Sequence, residues 1–198
     1  DPPPASPPKV TIDTGTLVGA VVDQARVFKA IPYAASPVGP LRWRPPQPAR
    51  PWTGARDATQ DGPACPQVVY PGRYNEGGYQ GPTSEDCLTL DVFAPLHASH
   101  APVMVWIFGG GDVAGADSIA PNDGRFFARD GVILVAMNYR LGAFGFFAHP
   151  ALTRAAKPGE PLANYGLMDQ IAALKWVRRN IARFGSDPAN VTIFGESA

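Results

Sequence analysis

Apolar residues along this chain fall into two kinds of pattern, and the two alternate toward its carboxyl end. Val103-Met104-Val105-Trp106-Ile107-Phe108 and residues 132–136 are continuous apolar runs of strand length, the form taken by strands buried on both faces. A third such run begins at Thr192. Between the second and third, Leu167, Met168, Ile171, Leu174, Val177, Ile181 and Phe184 recur at spacings of three and four, which predicts a helix over about 165–184 with one apolar face. Arg178, Arg179 and Arg183 load its final turns, where cations suit the helix dipole, and Gly185-Ser186-Asp187-Pro188 stops it. Buried strand, helix, buried strand predicts a parallel sheet with a right-handed crossover. Upstream, residues 88–94 alternate like a strand, and residues 16–22 with 27–31 predict an antiparallel hairpin across Asp23-Gln24-Ala25. Residues 32–82 keep no period and are rich in proline, glycine and isolated aromatics, so tertiary contacts or function must hold them.

Composition narrows the choices. At 198 residues the chain can hold one domain with a sizeable core. Its 17 basic and 17 acidic residues balance, and no basic run stands out, so bulk charge attracts neither nucleic acid nor an anionic membrane. No apolar run approaches the roughly 20 residues that span a bilayer. The start, residues 1–8, lacks the charged and apolar regions of a signal peptide and reads as an extended, exposed tail. Cys65 and Cys87, the two cysteines, enclose a Gly- and Pro-rich loop and lack the spacing of a metal site. Two buried thiols or one disulfide would fit; a disulfide is favoured because the loop has little apolar content to hold it, and it would point to an oxidising compartment.

Two short stretches carry candidate chemistry. Gly195-Glu196-Ser197 follows the third apolar run with no polar turn between, the opening of a nucleophile elbow, in which a strained strand-to-helix turn lifts a serine hydroxyl clear of the sheet. An ordinary Gly-x-Ser turn gives the same three letters. Directly after the run ending at Phe108 comes Gly109-Gly110-Gly111-Asp112, whose bare backbone N–H groups suit a phosphate, the oxyanion of a tetrahedral intermediate, or simply a flexible loop. The spacing of a phosphate loop is missing. Paired with a serine elbow on another strand of one sheet, an oxyanion hole is the better reading.

Several blocks resemble the type-B carboxylesterases and cholinesterases. They are Phe28-Lys29-Ala30-Ile31-Pro32-Tyr33-Ala34, Pro37-Val38-Gly39-Pro40-Leu41-Arg42-Trp43, Glu85-Asp86-Cys87-Leu88-Thr89-Leu90, Trp106-Ile107-Phe108-Gly109-Gly110-Gly111, Asn138-Tyr139-Arg140-Leu141-Gly142-Ala143-Phe144-Gly145-Phe146, and residues 164–198, which include Gly166-Leu167-Met168-Asp169-Gln170. The resemblance implies an α/β-hydrolase fold, of which this chain is the N-terminal portion: a proline-rich tail over 1–14, then over 15–198 a small antiparallel hairpin and the first part of a mainly parallel central sheet.

By the same resemblance, Ser197 is the nucleophile of a serine hydrolase acting on carboxylic esters through an acyl-enzyme. Gly110, Gly111 and Ala198 line its oxyanion hole, and Glu196 is the acidic neighbour of the serine. Cys65 and Cys87 are the family's N-terminal disulfide, and Arg42 with Glu85 and Arg140 with Asp169 are buried ion pairs. No metal or organic cofactor is implied, and the protein is expected to be secreted or periplasmic. Asp112 stands where an aromatic or small apolar residue is usual, and a carboxylate facing an oxyanion hole would oppose the developing charge, so it is expected to face away or to be paired. Ala30 replaces a usual glycine, and Asp91 a usual asparagine. The acid and histidine of a triad follow the serine in this fold. His97, His100 and His149 match no catalytic position, so the fragment alone is expected to be inactive, with the remaining C-terminal part of the enzyme, on a separate chain or segment, as its partner. The competing expectation is a non-enzymatic cholinesterase-like adhesion or interaction module.

Overall fold

The computed structural model describes residues 6–198; of the expected tail, residues 1–5 lie outside the described residues. The tail is shorter than residues 1–14: strand β1 begins at Lys9 (Lys9–Ile12) and pairs antiparallel with β2 (Gly15–Val18), which pairs parallel with β5 (Ala55–Asp57) in a small three-stranded sheet.

Among the described residues the main sheet has six strands. Its members are β3 (Ala20–Val22), β4 (Ala25–Pro32), β6 (Thr89–Pro95), β7 (Ala101–Ile107), β8 (Ile133–Met137) and β9 (Ser186–Gly195), in the order β3-β4-β6-β8-β7-β9. The first three pairings are antiparallel, whereas β7 runs parallel to both β8 and β9. The expected hairpin is real but shifted. Val22 opposes Ala25, so the turn is the two residues Asp23-Gln24, both at positive φ (49° and 63°) as a tight hairpin turn requires. The single expected strand over 16–22 is two strands in two sheets. They part at Gly19, where an added Cβ would lie 2.7 Å from the Phe28 ring.

The main helix, α4 (Tyr165–Asn180), tightens into a 3₁₀ turn over Ile181–Phe184 and ends at Gly185, which takes the left-handed conformation that glycine tolerates best (φ 92°). Shorter helices α1 (Arg125–Arg129), α2 (Gly142–Phe146) and α3 (Pro150–Ala155) precede it. The helical period is as expected, but the buried stripe is not. Asp169, Ala173, Trp176, Val177 and Asn180 face inward, while Leu167 and Ile171 are 46% and 52% exposed. Trp176, Val177 and Phe184 join the core that includes Phe28, Leu90, Val105 and Val135, with Phe184 edge-on to Phe28 at 5.2 Å. On the other face, Val27, Phe93 and Leu134 pack with Ala128 of α1. The result is a three-layer arrangement with the sheet between helices.

Cover is uneven across the sheet. Every residue of β8 is buried, but Asn190, Val191, Thr192 and Ile193 of β9 are exposed, although the run from Thr192 reads as a buried strand. β9 pairs on one side only and, among the described residues, forms the edge.

Candidate active site

Because β7 and β9 are parallel neighbours with Ile107 opposite Gly195, the segments that leave them emerge side by side at the same end of the sheet. Their approach depends on hydrogen in place of side chains. A Cβ on Gly195 would lie 2.6 Å from the Ile107 carbonyl oxygen, and one on Gly109 would lie 2.8 Å from Ser197 Cβ. Ser197 itself has φ 59°, a conformation that costs a non-glycine residue on the order of 1–3 kcal/mol and is typical of a sharp functional turn. Glu196 and Ser197 are exposed, and Glu196 makes no side-chain hydrogen bond among the described residues.

The glycine loop forms a nest of donors. Gly110, Gly111 and Asp112 all have positive φ (136°, 63° and 60°), which turns their successive N–H groups toward one point. All three donate to a single oxygen of the terminal residue, Ala198: Gly110 N at 2.8 Å, Asp112 N at 3.2 Å, and Gly111 N between them in sequence. The N–H of Asp112 was not among the expected donors. That oxygen, which belongs to the last residue of the sequence, stands in the nest where an oxyanion would be held.

A second missed residue is Gln67, which fastens the loop from outside. Its amide Nε2 donates to the Gly115 carbonyl at 2.7 Å, and its Oε1 accepts from Gly115 N at 2.9 Å. Asn75 Nδ2 in turn donates to Gln67 Oε1 at 2.7 Å. Both lie within the Cys65–Cys87 disulfide loop, so the cross-link braces the nest through side-chain amides. Nothing in the local sequence marks Gln67, since its partner is a backbone peptide 48 residues away.

A cleft of about 470 Å³ opens beside Ser197, lined among others by Phe108, Asp112, Tyr139, Leu167 and Phe194. The Phe108 and Tyr139 rings stack at 4.6 Å, and Tyr139 Oη donates to the Phe108 carbonyl at 2.5 Å. Burial, and behind it the charge of Asp112, pushes the Tyr139 hydroxyl above its ordinary range, so it stays protonated. Asp112 borders this cleft and also a neighbouring one with Gly142 and Phe146, and its carboxylate has no hydrogen-bond or ion-pair partner among the described residues, so it is not paired. Its backbone is held there by Gly142 N, which donates to the Asp112 carbonyl at 2.7 Å, and by the turn in which Val113 N and Ala114 N donate to Gly110 O.

The ion pairs differ from one another. Arg140 and Asp169 are buried at 3% and 0% exposure and joined by two 2.8 Å bonds, Nε to Oδ2 and Nη2 to Oδ1. Burial raises the Asp169 carboxyl above its usual range even against Arg140. Arg42 and Glu85 meet in the same two-pronged way, but their side chains are 38% and 23% exposed, so this pair is not buried as expected: Arg42 lies in the irregular stretch at the surface. His97, His100 and His149 are all exposed and outside the cleft, and His149 Nδ1 accepts from Ala151 N at the start of α3. Among the described residues no three acids, histidines or cysteines are placed to hold a metal, and no helix is long and apolar enough to cross a membrane.

Residues 6–198 match the family model described as the carboxylesterase family. The chain is 46% identical over 183 residues to the fumonisin B1 esterase of Sphingopyxis macrogoltabida, covering 91% of this chain and 33% of that protein. It is 47% identical over 200 residues to the cholinesterase of Mus musculus, covering 96% and 32%. A solved PNB esterase structure superposes with a TM-score of 0.84 at 44% identity, covering 96% of this chain and 38% of that one. The chain therefore spans about a third of the length of the curated relatives it matches.

Proposed function

The chain belongs to the carboxylesterase family, with the fold of the N-terminal part of an α/β-hydrolase, and from that premise we propose that it carries the nucleophile and anion hole of a carboxylic ester hydrolase. Ser197 Oγ attacks the ester carbonyl carbon while its proton passes to a histidine supplied by polypeptide outside these residues, held by an acid from the same source. The carbonyl π electrons move to oxygen, and the N–H groups of Gly110, Gly111 and Asp112 receive that oxyanion. Collapse of the tetrahedral species expels the alcohol, which takes the proton from the histidine. Water then enters by the same route and releases the acid from the acyl-enzyme. The disulfide supports a secreted or periplasmic setting.

The observation that carries the reading is the convergence of three amides on one oxygen beside a serine at φ 59°. In the complete protein, a fluorophosphonate probe should label Ser197 and stop hydrolysis of p-nitrophenyl esters, and Ser197→Ala should abolish both. Gly110→Ala, which drives a Cβ into the Ala114 carbonyl, should lower turnover by about 10²–10³-fold, the usual loss for one oxyanion donor. Ester turnover that survives Ser197→Ala would end this assignment, and failure to label would favour a binding module.

A further inference from the structure

Four of the seven residues from Gly109 to Gly115 are glycine, so the segment that forms the donor nest has few side chains of its own to hold its shape. It is held from the disulfide loop. Gln67 engages every hydrogen-bonding position of its amide: Nε2 donates to the carbonyls of Gly115 at 2.7 Å and Cys65 at 3.0 Å, and Oε1 accepts from Gly115 N at 2.9 Å and Asn75 Nδ2 at 2.7 Å. Asn75, which is buried, is engaged as fully: Nδ2 also donates to the Val68 carbonyl at 2.9 Å, and Oδ1 accepts from Gly77 N at 3.1 Å and Tyr79 N at 2.9 Å. An amide so occupied has one orientation, because turning Gln67 over would set its amino group against the N–H of Gly115.

The residue that Gln67 grips is in turn packed on the nest. Gly115 meets Gln67 through both its N–H and its carbonyl, a bridge like that between two strands, which fixes rotation as well as position. One residue earlier, Ala114 N donates to the Gly110 carbonyl at 3.2 Å, and the Ala114 carbonyl leaves no room for a Cβ on Gly110. A Cβ on Gly115 would enter the Phe108 ring, and one on Gly77 would lie 2.7 Å from Gly115 Cα, so the disulfide loop and the end of β7 both press on this turn. Gln67 itself does not line the cleft beside Ser197.

We propose that Gln67, with Asn75 behind it, is a positioning residue for the anion hole: it fixes the turn at Ala114 and Gly115, and through that turn the aim of the Gly110 N–H. The inference rests on the proposed function, since an anion hole has meaning only where an oxyanion forms. Donors set in advance stabilise that charge because they need not reorient as it develops, and a nest of glycines keeps this advantage only if something outside it sets its geometry. The effect therefore falls on the transition state. Acylation and deacylation both pass through an oxyanion, so loosening the nest lowers kcat and kcat/KM together and leaves KM where it was.

The test uses the full-length protein and Gln67→Met, which keeps the length of the side chain and removes its amide. Turnover of p-nitrophenyl acetate, normalised to the sites that a fluorophosphonate titrates, should fall by about tenfold to 10²-fold at unchanged KM, short of the loss from deleting a donor because the donors are misaimed rather than removed. A trifluoromethyl ketone, whose hemiketal with Ser197 carries an oxyanion, should bind more weakly by the same factor. Full kcat per titrated site with only a lowered melting temperature would overturn the proposal and leave Gln67 a structural tether. So would a raised KM at constant kcat, the mark of a substrate-binding residue. Should Gln67→Met fail to fold, Asn75→Ala decides: it spares both bonds from Gln67 to Gly115 but removes their brace, and it should lower kcat per site by about threefold or more at unchanged KM, an unaltered kcat overturning the proposal. Failure of the proposed function looks different, because there the wild type itself neither turns over the ester nor reacts with the probe, and the anion hole and this role fall together.

Discussion

Strands β8 and β9 flank the same neighbour, β7, run parallel to it, and read alike in sequence, yet one is wholly buried and the other largely exposed. The difference lies in what covers them. β8 is paired on both sides, and its two faces meet the core under α4 and the cluster under α1, whereas β9 is paired on one side and its Ile193 is 54% exposed. The Ser197 turn leaves the uncovered strand and the donor nest leaves β7, so the proposed site sits at the boundary between a covered half of the sheet and, among the described residues, an open one. Rigidity at such a site comes from the covered side: the turn behind the nest is fastened at Gly115 by Gln67 of the disulfide loop, both within the described residues.

The largest expected effect tests how closed the covered side is. Asp169→Ala leaves Arg140, whose Nη1 is already partnerless, as a lone buried charge just beyond β8, and should cost about 3–5 kcal/mol in urea denaturation. Glu85→Ala at the half-exposed pair should cost less than about 1 kcal/mol. Comparable losses at the two pairs would mean that Arg42 is covered by polypeptide outside the described residues.

Next in size is a pair of truncations on the two strands themselves. Leu134→Ala on β8, at 1% exposure, removes a buried side chain and should cost about 2–5 kcal/mol. Ile193→Ala on β9 should cost less than about 1 kcal/mol if that face meets only water. Thermal melts of the two variants in the full-length protein sharpen the comparison. A cost at Ile193 equal to that at Leu134 would show that the open edge is a docking face that the longer protein closes.

Much of this was legible in the sequence, and the failures share a cause. The parallel core strands, the helix and its stop at Gly185, the disulfide and the juxtaposition of Ser197 with the glycine loop all follow from local pattern and family-like blocks. Burial was only partly legible, because it depends on the layers around an element: apolar Leu167, Ile171 and Ile193 read as core and are exposed, whereas Arg140 and Asp169 are buried as the family-like blocks imply. The role of Gln67 was not legible, because its partner is a backbone peptide distant in sequence.

The smallest expected effect lies at the covered end, in β4. The pairing of β4 with β6 shifts register between Phe28 and Ile31, and Ala30, inside that bulge, has φ 52° while its N–H is held by Asp91. A methyl group there keeps a left-handed conformation that glycine adopts freely, and an extra residue at a bulge is where glycine is usual. Ala30→Gly should therefore stabilise the protein by about 0.5–1 kcal/mol, with relief of strain exceeding the added chain entropy. Chemical denaturation reads the difference. A loss of stability instead would mean that the Ala30 methyl contributes more by packing than its backbone gives up, with Gly62 close by, whose added Cβ would sit 3.1 Å from that methyl.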